Sequence, residues 1–186
     1  MISAGQEALD HKLTHRDLEH TPDDGNCYEI IDGILYVTPF PTYLHQEAAT
    51  ALTAILYTHV REYNLGKVFA AGLKVVLDEP TGVGPDIVYI SAEHMDRMQR
   101  DGYYGAPDLV VEVLSSKPQL DRYIKLNKYA QAHVPNYWIV DPEPRVLWDY
   151  QLQGNQYRLA GEHREAARFE PALFPGLAIM LADLWA

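Results

Sequence analysis

The segment GAPDLVVEVLSSKPQLDRYIKLNKY, residues 105–129, decides the fold. Its apolar, β-branched first part predicts a strand that is buried on both faces of a sheet. Glu112 lies in the middle of this strand, and a buried carboxylate is strongly disfavoured unless a cation, a metal ion or a shared proton pairs with it. Asp121, Lys125 and Tyr129 then recur at intervals of four residues, so they lie on one face of a following helix. The segment therefore predicts an acid in a buried strand beside a helix that carries a lysine.

The length and composition indicate an ordinary globular protein. The chain has 186 residues, of which 47% are hydrophobic and 22% charged, and these values favour one domain with a substantial core. We expect an N-terminal helix and loop extension over residues 1–26 and a single domain over residues 27–186. No apolar run approaches the length of a membrane span, so no membrane association is expected.

Two further features favour a cytoplasmic protein. A basic segment followed by an apolar one is not visible in the first twelve residues, so we expect no signal peptide. The single cysteine, Cys27, excludes an internal disulfide and fits a reducing compartment.

The formal net charge of −11 limits the functions that the chain can have. A protein that binds nucleic acid over a broad surface needs an excess of positive charge on that surface. Any contact with DNA is therefore expected to be local or bridged by a metal ion.

The pattern of apolar residues and turn signals predicts a mixed α/β (α+β) fold. Both long helical segments are flanked by strands, which favours a mixed central sheet with helices packed against it. The predicted strands cover residues 68–71, 74–77, 86–90, 109–114 and 136–141, with hairpins over residues 27–37 and 145–159. The predicted helices cover residues 42–63 and 117–133, and the second is expected to pack through Leu120, Tyr123 and Ile124. Residues 78–84 are expected to form turns, and residues 101–104 a loop.

Three of these residues combine into a candidate site. Asp86 begins one strand, Glu112 lies inside another, and Lys125 lies on the next helix. If the strands are neighbours, the two carboxylates come close together, so one takes up a proton or both share a divalent cation. Oxygen ligands without a cysteine or histidine cluster indicate Mg²⁺ or Mn²⁺ rather than Zn²⁺.

Such a site has the groups that phosphodiester hydrolysis needs. The ion activates a water molecule and neutralises charge on the phosphoryl group, and a nearby lysine orients the water or holds the phosphate. The residues alone leave open a structural salt bridge between Glu112 and Lys125. Considered alone, His45 in a first helical turn is more often a satisfied core residue or a cap. For Glu29 and Asp32, near a hairpin turn, we expect solvent-facing positions.

Six short motifs occur in an order that is typical of one family. They are YEIIDG (residues 28–33), His45 after a proline-rich turn, GPDIVYIS (84–91), PDLVVEVLS (107–115), the series Asp121, Lys125 and Tyr129, and YWIVDP (137–142). In these motifs the chain resembles the restriction endonuclease family of the Uma-two type, within the PD-(D/E)xK nuclease superfamily. The resemblance covers nearly all of the predicted domain and implies a restriction-endonuclease-like fold.

The resemblance also implies roles for individual residues. Asp86 and Glu112 match the two metal-binding acids of the superfamily, and His45 matches a helix histidine near the site. Leu114 occupies the position where the superfamily usually has its lysine, and in this family the next helix is thought to supply it. Lys125 is then the matching lysine and Lys128 a second candidate. Glu29 matches a family acid of unassigned role, and Tyr129 is expected to pack against or support the lysine.

The resulting hypothesis is a Mg²⁺- or Mn²⁺-dependent DNA endonuclease. A homodimer is expected because the cleavage of two strands suits two-fold symmetry. One alternative is a catalytically inactive nuclease-like module that binds nucleic acid or protein, which Leu114 and the acidic charge favour. Another is the hydrolysis of a small phosphoester.

Overall fold

The computed structural model describes residues 12–114 and 118–185. The α-helices are α1, Tyr43–Glu62, and α2, Leu126–Gln131, which continues the π-helical segment Leu120–Lys125. Short 3₁₀ helices cover His15–His20, Ala92–Arg97 and Leu181–Leu184. The strands are β1 Cys27–Ile31, β2 Ile34–Thr38, β3 Gly66–Ala70, β4 Val75–Asp78, β5 Thr81–Val83, β6 Ile87–Ser91, β7 Met98–Gln99, β8 Gly102–Tyr104, β9 Leu109–Val113, β10 Asn136–Asp141, β11 Val146–Gln153, β12 Gln156–Arg164, β13 Arg168–Phe169 and β14 Ile179–Met180.

The central sheet is built around the strand that the opening segment predicts. Its order is β12-β11-β10-β9-β6-β3, and β9 lies between a parallel neighbour, β10, and an antiparallel one, β6. All five residues of β9 are buried, including Glu112, because elements pack on both faces of the sheet. The prediction of a buried central strand is confirmed.

A second sheet covers part of one face of the central sheet. Its order is β2-β1-β5-β4-β8-β7, and it begins with the hairpin that turns at Asp32 and Gly33. Both turn residues have positive φ, 52° and 81°, as the Asp-Gly dipeptide predicts. The mixed α/β fold class with mixed sheets and helices is therefore confirmed.

The alternation of side chains along the central strands creates two cores. On one face, Val111 and Trp138 pack with Leu52 of α1 and Phe174 of the C-terminal segment. On the other face, Val110 packs with residues of the second sheet and of the helix that follows β9. Glu112 is two residues from Val110, so it points toward the second core and the lysine-bearing helix.

Helix α1 closely matches its prediction. Thr42 caps it, because its side chain accepts a hydrogen bond from the backbone N–H of His45 at 3.4 Å. Among the described residues, no helix is both long and apolar enough to cross a membrane.

The structure corrects three local predictions. Residues 81–83 and 102–104 form strands β5 and β8 rather than turns and a loop, because β1 and β4 supply their hydrogen-bond partners. In the helix after β9, Tyr123 and Ile124 are exposed instead of packed, since polar residues of the same helix point inward. Lys117, where this helix was predicted to begin, lies outside the described residues.

The division into an extension and a domain stays a prediction. Residues 1–11 lie outside the described part of the chain. Within residues 12–26, His15 is buried and donates its backbone N–H to the carbonyl oxygen of Glu79 at 3.1 Å. This part of the extension therefore packs on the second sheet.

We expect Gly66→Ala to destabilise the fold by about 1–3 kcal/mol, because Gly66 has a φ of 147°, which other residues rarely adopt. A Cβ atom at this position would also lie 2.1 Å from the carbonyl oxygen of Ile90. Gly72→Ala is the matched control, since Gly72 also has positive φ but open space around it. Urea unfolding measures both; equal losses in the two variants would show that the contact with Ile90 has no effect.

Candidate active site

A buried ammonium group forms the centre of the site. The Nζ atom of Lys125 lies 2.9 Å from Oε2 of Glu29, 3.0 Å from Oε1 of Glu112 and 3.3 Å from Oδ1 of Asp121. Lys125 is 4% exposed and Glu112 is 3% exposed. One lysine therefore joins acids from the second sheet, the central sheet and its own helix.

Glu112 has two donors on the same oxygen. Its Oε1 atom accepts hydrogen bonds from Lys125 Nζ at 3.0 Å and from the Tyr129 hydroxyl at 2.7 Å. Tyr129 lies one helical turn after Lys125, so the spacing of four residues places both donors on the face toward the strand. Tyr129 therefore contacts the acid that pairs with the lysine, and its support of the lysine itself stays a prediction.

Asp86 lies immediately before β6 and next to Glu112 in the register. The last pair of the β6–β9 ladder is Ile87 with Val111, and one step further Asp86 is opposite Glu112. The Oδ2 atom of Asp86 accepts a hydrogen bond from the backbone N–H of Val113 at 2.8 Å. The two predicted acids are thus held at the same end of neighbouring antiparallel strands.

His45 holds Asp86 from the other side. Its Nε2 atom is 3.0 Å from Oδ2 of Asp86, so the tautomer with a proton on Nε2 donates to that carboxylate. The Nδ1 atom of His45 is buried and has no hydrogen-bond partner among the described residues. His45 contacts a predicted metal-binding acid, which is the placement that the resemblance implied.

Glu29 corrects an expectation drawn from the hairpin. It was expected to face solvent, but it is buried, and its Oε1 atom accepts the backbone N–H of Gly84 at 2.9 Å while Oε2 contacts Lys125. Its position depends on contacts with the residue after β5 and with the helix that carries Lys125. Neither contact can be predicted from the hairpin sequence alone. Asp32, by contrast, is exposed as expected.

Asp121 also belongs to the site, although the sequence prediction did not include it there. The signal was present in the spacing of four residues from Asp121 to Lys125, which places an acid beside the lysine on a helix. From the sequence alone, that spacing predicts only a shared helix face.

The structure also shows the surroundings of the other two positions considered for the catalytic lysine. Nζ of Lys128 lies 2.5 Å from Asp32 and 2.6 Å from Asp78, away from Asp86 and Glu112. Leu114, at the position usual for the lysine, is a buried residue of the second core. Of the candidate positions, only Lys125 contacts a predicted metal-binding acid.

These side chains surround a small cavity of about 70 Å³. It is lined by Cys27, Glu29, Thr38, Pro39, Pro41, His45, Gly84, Asp86, Glu112, Val113, Leu120, Asp121 and Lys125. The cavity therefore brings together all four residues that the sequence predicted for the site.

The charges of the cavity are unbalanced. Burial raises the pKa of Glu112 well above its usual value; Lys125 opposes this shift, and the charges of Asp121, Asp86 and Glu29 add to it. Burial also raises the pKa of Asp121. Burial alone would lower the pKa of Lys125, but Glu112, Glu29 and Asp121 raise it well above its usual value. The neighbouring acids therefore favour the cationic form of the lysine, and the cavity contains this one cation with four carboxyl groups.

The family can now be stated from a comparison with known proteins. The model of the family described as "Uma2: Putative restriction endonuclease" matches residues 15–182. This chain belongs to the Uma2 family. The match covers most of the chain, including every residue of the cavity, and it confirms the resemblance that the six motifs indicated.

A solved structure shows the same fold. The crystal structure described as "a putative nuclease belonging to DUF820" from Anabaena variabilis ATCC 29413 superimposes with a TM-score of 0.75. The two chains are 18% identical, and the match covers 93% of this chain and 97% of the other. At this identity the similarity establishes the fold alone. Among curated proteins, none matches this chain.

Proposed function

We propose that this Uma2-family protein is a divalent metal-dependent DNA endonuclease with a site formed by Asp86, Glu112, Lys125 and His45. The observation that carries the proposal is the shared cavity, in which two acids from adjacent strands lie beside a buried lysine. Membership of the family supports hydrolysis of phosphodiester bonds as the reaction.

The donor set fits Mg²⁺ or Mn²⁺. Both ions prefer carboxylate oxygens, and Mg²⁺ keeps several water ligands, so one or two protein carboxylates are enough to hold it. Among residues 12–114 and 118–185, no three His, Cys, Asp or Glu side chains are arranged as a metal cluster. The ammonium group of Lys125 accounts for the missing cluster, because it lies among three of the four carboxylates of the cavity. Asp86 and Glu112 are the residues that would hold the ion.

The protein side chains have separate roles in this proposal. A bound divalent ion supplies charge neutralisation and an acidified water. Lys125, whose cationic form the neighbouring acids favour, acts as a hydrogen-bond donor and point charge toward the water or the attacked phosphate rather than as a base. His45 is a positioning residue that fixes Asp86. Tyr129 does the same for Glu112.

A non-catalytic function is the second candidate, and two observations favour it. Lys125 already forms ion pairs with three acids, and the usual lysine position is the buried Leu114. An inactive module that binds nucleic acid or protein would retain these contacts as a structural network. Metal-dependent cleavage is the property that separates the two candidates.

A homodimer and a cytoplasmic location complete the proposal. Two-fold symmetry would provide one cavity for each of two strands. The single cysteine supports a reducing compartment. Analytical ultracentrifugation at several concentrations tests the dimer.

The direct test is cleavage of plasmid and oligonucleotide DNA by the purified protein with Mg²⁺, with Mn²⁺ and with EDTA. We expect cleavage with either ion and none in EDTA. A protein that cleaves in none of these conditions would support the non-catalytic candidate. Small phosphoesters such as p-nitrophenyl phosphate, assayed in parallel, test the remaining alternative.

We expect Asp86→Asn to weaken the binding of Mn²⁺ at least about 10-fold, because it removes one of the two charges proposed to hold the ion. An amide oxygen at this position can still accept from Val113 and His45, so the fold should be retained. Isothermal titration calorimetry measures the affinity, and the anomalous signal of Mn²⁺ in crystals gives the position of the ion. An ion found elsewhere than between Asp86 and Glu112 would contradict the assignment.

A further inference from the structure

The cavity and two further hollows lie in series along α1, and we call this series the groove. His45 and Asp86 line both the cavity and a neighbouring hollow of about 440 Å³ between α1 and the end of β3. Tyr57 lines this hollow and also a second one of about 430 Å³. The shared residues show that each hollow is adjacent to the next.

The helix side of the groove is a single stripe of α1. The residues that line it recur at spacings of three and four, so they lie on one face of the helix. They are His45, Gln46, Ala49, Thr50, Thr53, Ala54, Tyr57, Val60 and Arg61. From His45 to Arg61 the stripe extends about 24 Å, at about 1.5 Å per residue.

The groove changes from acidic to basic along its length. At the cavity end it contains Asp86, in the middle it is lined by small side chains such as Ala49 and Ala70, and at the far end it contains Arg61 and Lys67. In the described part of the chain, neither of these two cations forms a side-chain hydrogen bond or an ion pair, whereas Arg122 and Arg168 do. In a protein with a net charge of −11, two exposed cations without acidic partners are available for an anionic ligand.

An aromatic ring lies between the two ends. Tyr57 is 48% exposed although it lies in the groove between hollows. A groove with basic residues and an exposed aromatic ring is typical of proteins that bind single-stranded nucleic acid, in which bases stack on the ring and cations contact phosphates. The acidic surface elsewhere disfavours the broad contacts that a duplex would make.

We infer that the groove binds one unpaired strand of nucleic acid and leads it to the cavity. Tyr57 stacks on a base, and Arg61 and Lys67 contact phosphates at the far end of the groove, where Arg61 lies about 24 Å along the helix from His45. This inference rests on the proposed function, since it specifies the substrate of the same site as a single-stranded segment. At about 3.4 Å per nucleotide in a stacked strand, the distance corresponds to about seven nucleotides.

The test is binding of a fluorescein-labelled 20-nucleotide strand, measured by anisotropy in EDTA so that metal-dependent cleavage is absent. We expect Arg61→Gln/Lys67→Gln to weaken binding at least 10-fold. The slope of log K against the logarithm of the salt concentration should also become about 1.4 less steep, because each phosphate contact with a single strand contributes about 0.7 to that slope. Tyr57→Ala should weaken binding about 5-fold or more, as expected for the loss of one stacked base. The same sequence as a duplex should bind more weakly than the single strand.

The matched control is Arg100→Gln/Arg158→Gln. Arg100 and Arg158 are exposed, do not line the groove and make no ion pair in the described part of the chain, so this variant has the same net charge as the groove variant. We expect it to retain the wild-type affinity within about 2-fold. Equal weakening by the two double variants would show that bulk charge governs binding, and it would overturn the inference.

The remaining outcomes separate this inference from the proposed function. If the wild-type protein binds no single strand, the inference about the groove is wrong. It is also wrong if the groove substitutions change only the association state measured by light scattering, because the groove then binds a second copy of the chain. If the groove substitutions leave the cleavage rate unchanged, the inference about the groove is wrong, but the proposed nuclease function is retained. If binding depends on the groove residues but no divalent metal ion supports cleavage, the inference about the groove is retained and the proposed nuclease function is wrong.

Discussion

Glu112→Gln is expected to lower metal-dependent cleavage by at least about 100-fold, with no change in the fold. The amide oxygen of glutamine can still accept from Lys125 and Tyr129, so the buried hydrogen bonds are kept. The negative charge that would hold the cation is lost, and the stabilisation that the ion supplies amounts to several kcal/mol, of which about 2.7 correspond to 100-fold. Single-turnover cleavage with Mg²⁺ measures the loss, and circular dichroism verifies the fold.

Asp149→Asn is the matched control for this substitution. Asp149 is a buried acid on β11 of the same sheet, its Oδ1 accepts from the indole N–H of Trp138 at 2.9 Å, and neither residue lines the cavity. We expect its cleavage rate to equal that of the wild type. If Glu112→Gln fails to fold and the wild type binds no Mn²⁺, the acid is part of a structural network and the endonuclease proposal is wrong.

Lys125→Met is expected to destabilise the protein by about 3–5 kcal/mol and to lower cleavage at least about 100-fold. The substitution leaves buried acids without the cation that pairs with them, and breaking a buried pair from one side has a cost of this size. It also removes the donor that the proposal assigns to the reacting phosphate or water. Urea unfolding in EDTA measures the loss of stability without a contribution from metal binding.

Two further variants identify the cause of that loss. In Lys128→Met the lost lysine is equally buried, but its partners Asp32 and Asp78 have side chains that are 61% and 46% exposed and can be hydrated. We therefore expect a smaller loss of stability than for Lys125→Met. The double variant Lys125→Met/Glu112→Gln should recover at least about 1 kcal/mol relative to the sum of the single losses, because it removes one of the three acids that lose their cation. Strict additivity would show that Glu112 and Lys125 do not interact energetically.

The elements with local signals could be predicted from the sequence. Helix α1 has an apolar stripe and a threonine cap, and the first hairpin has an Asp-Gly turn, so each is specified within a few residues. Strands β5 and β8 could not be predicted this way. They are three residues long, and the partners that stabilise them come from other parts of the sheet.

The candidate site could be predicted only in part, for the same reason. Asp86, Glu112 and Lys125 lie in or next to elements whose type is clear from the sequence, and the family motifs indicated them together. The burial of Glu29 depends on Lys125, which is distant along the chain. Tyr123 is 64% exposed because the π-helical segment directs Lys125 inward instead of the apolar residues, an arrangement that hydrophobic periodicity does not predict.

The ion pairs of Lys125 have a consequence for how the folding of the protein depends on metal ions. A domain whose acids are balanced only by a metal ion folds when that ion binds, and chelators denature it. Here an internal counter-ion is part of the polypeptide, so the chain can reach its final structure in a medium without divalent ions. We therefore expect chelation to stop catalysis reversibly while the melting temperature changes little.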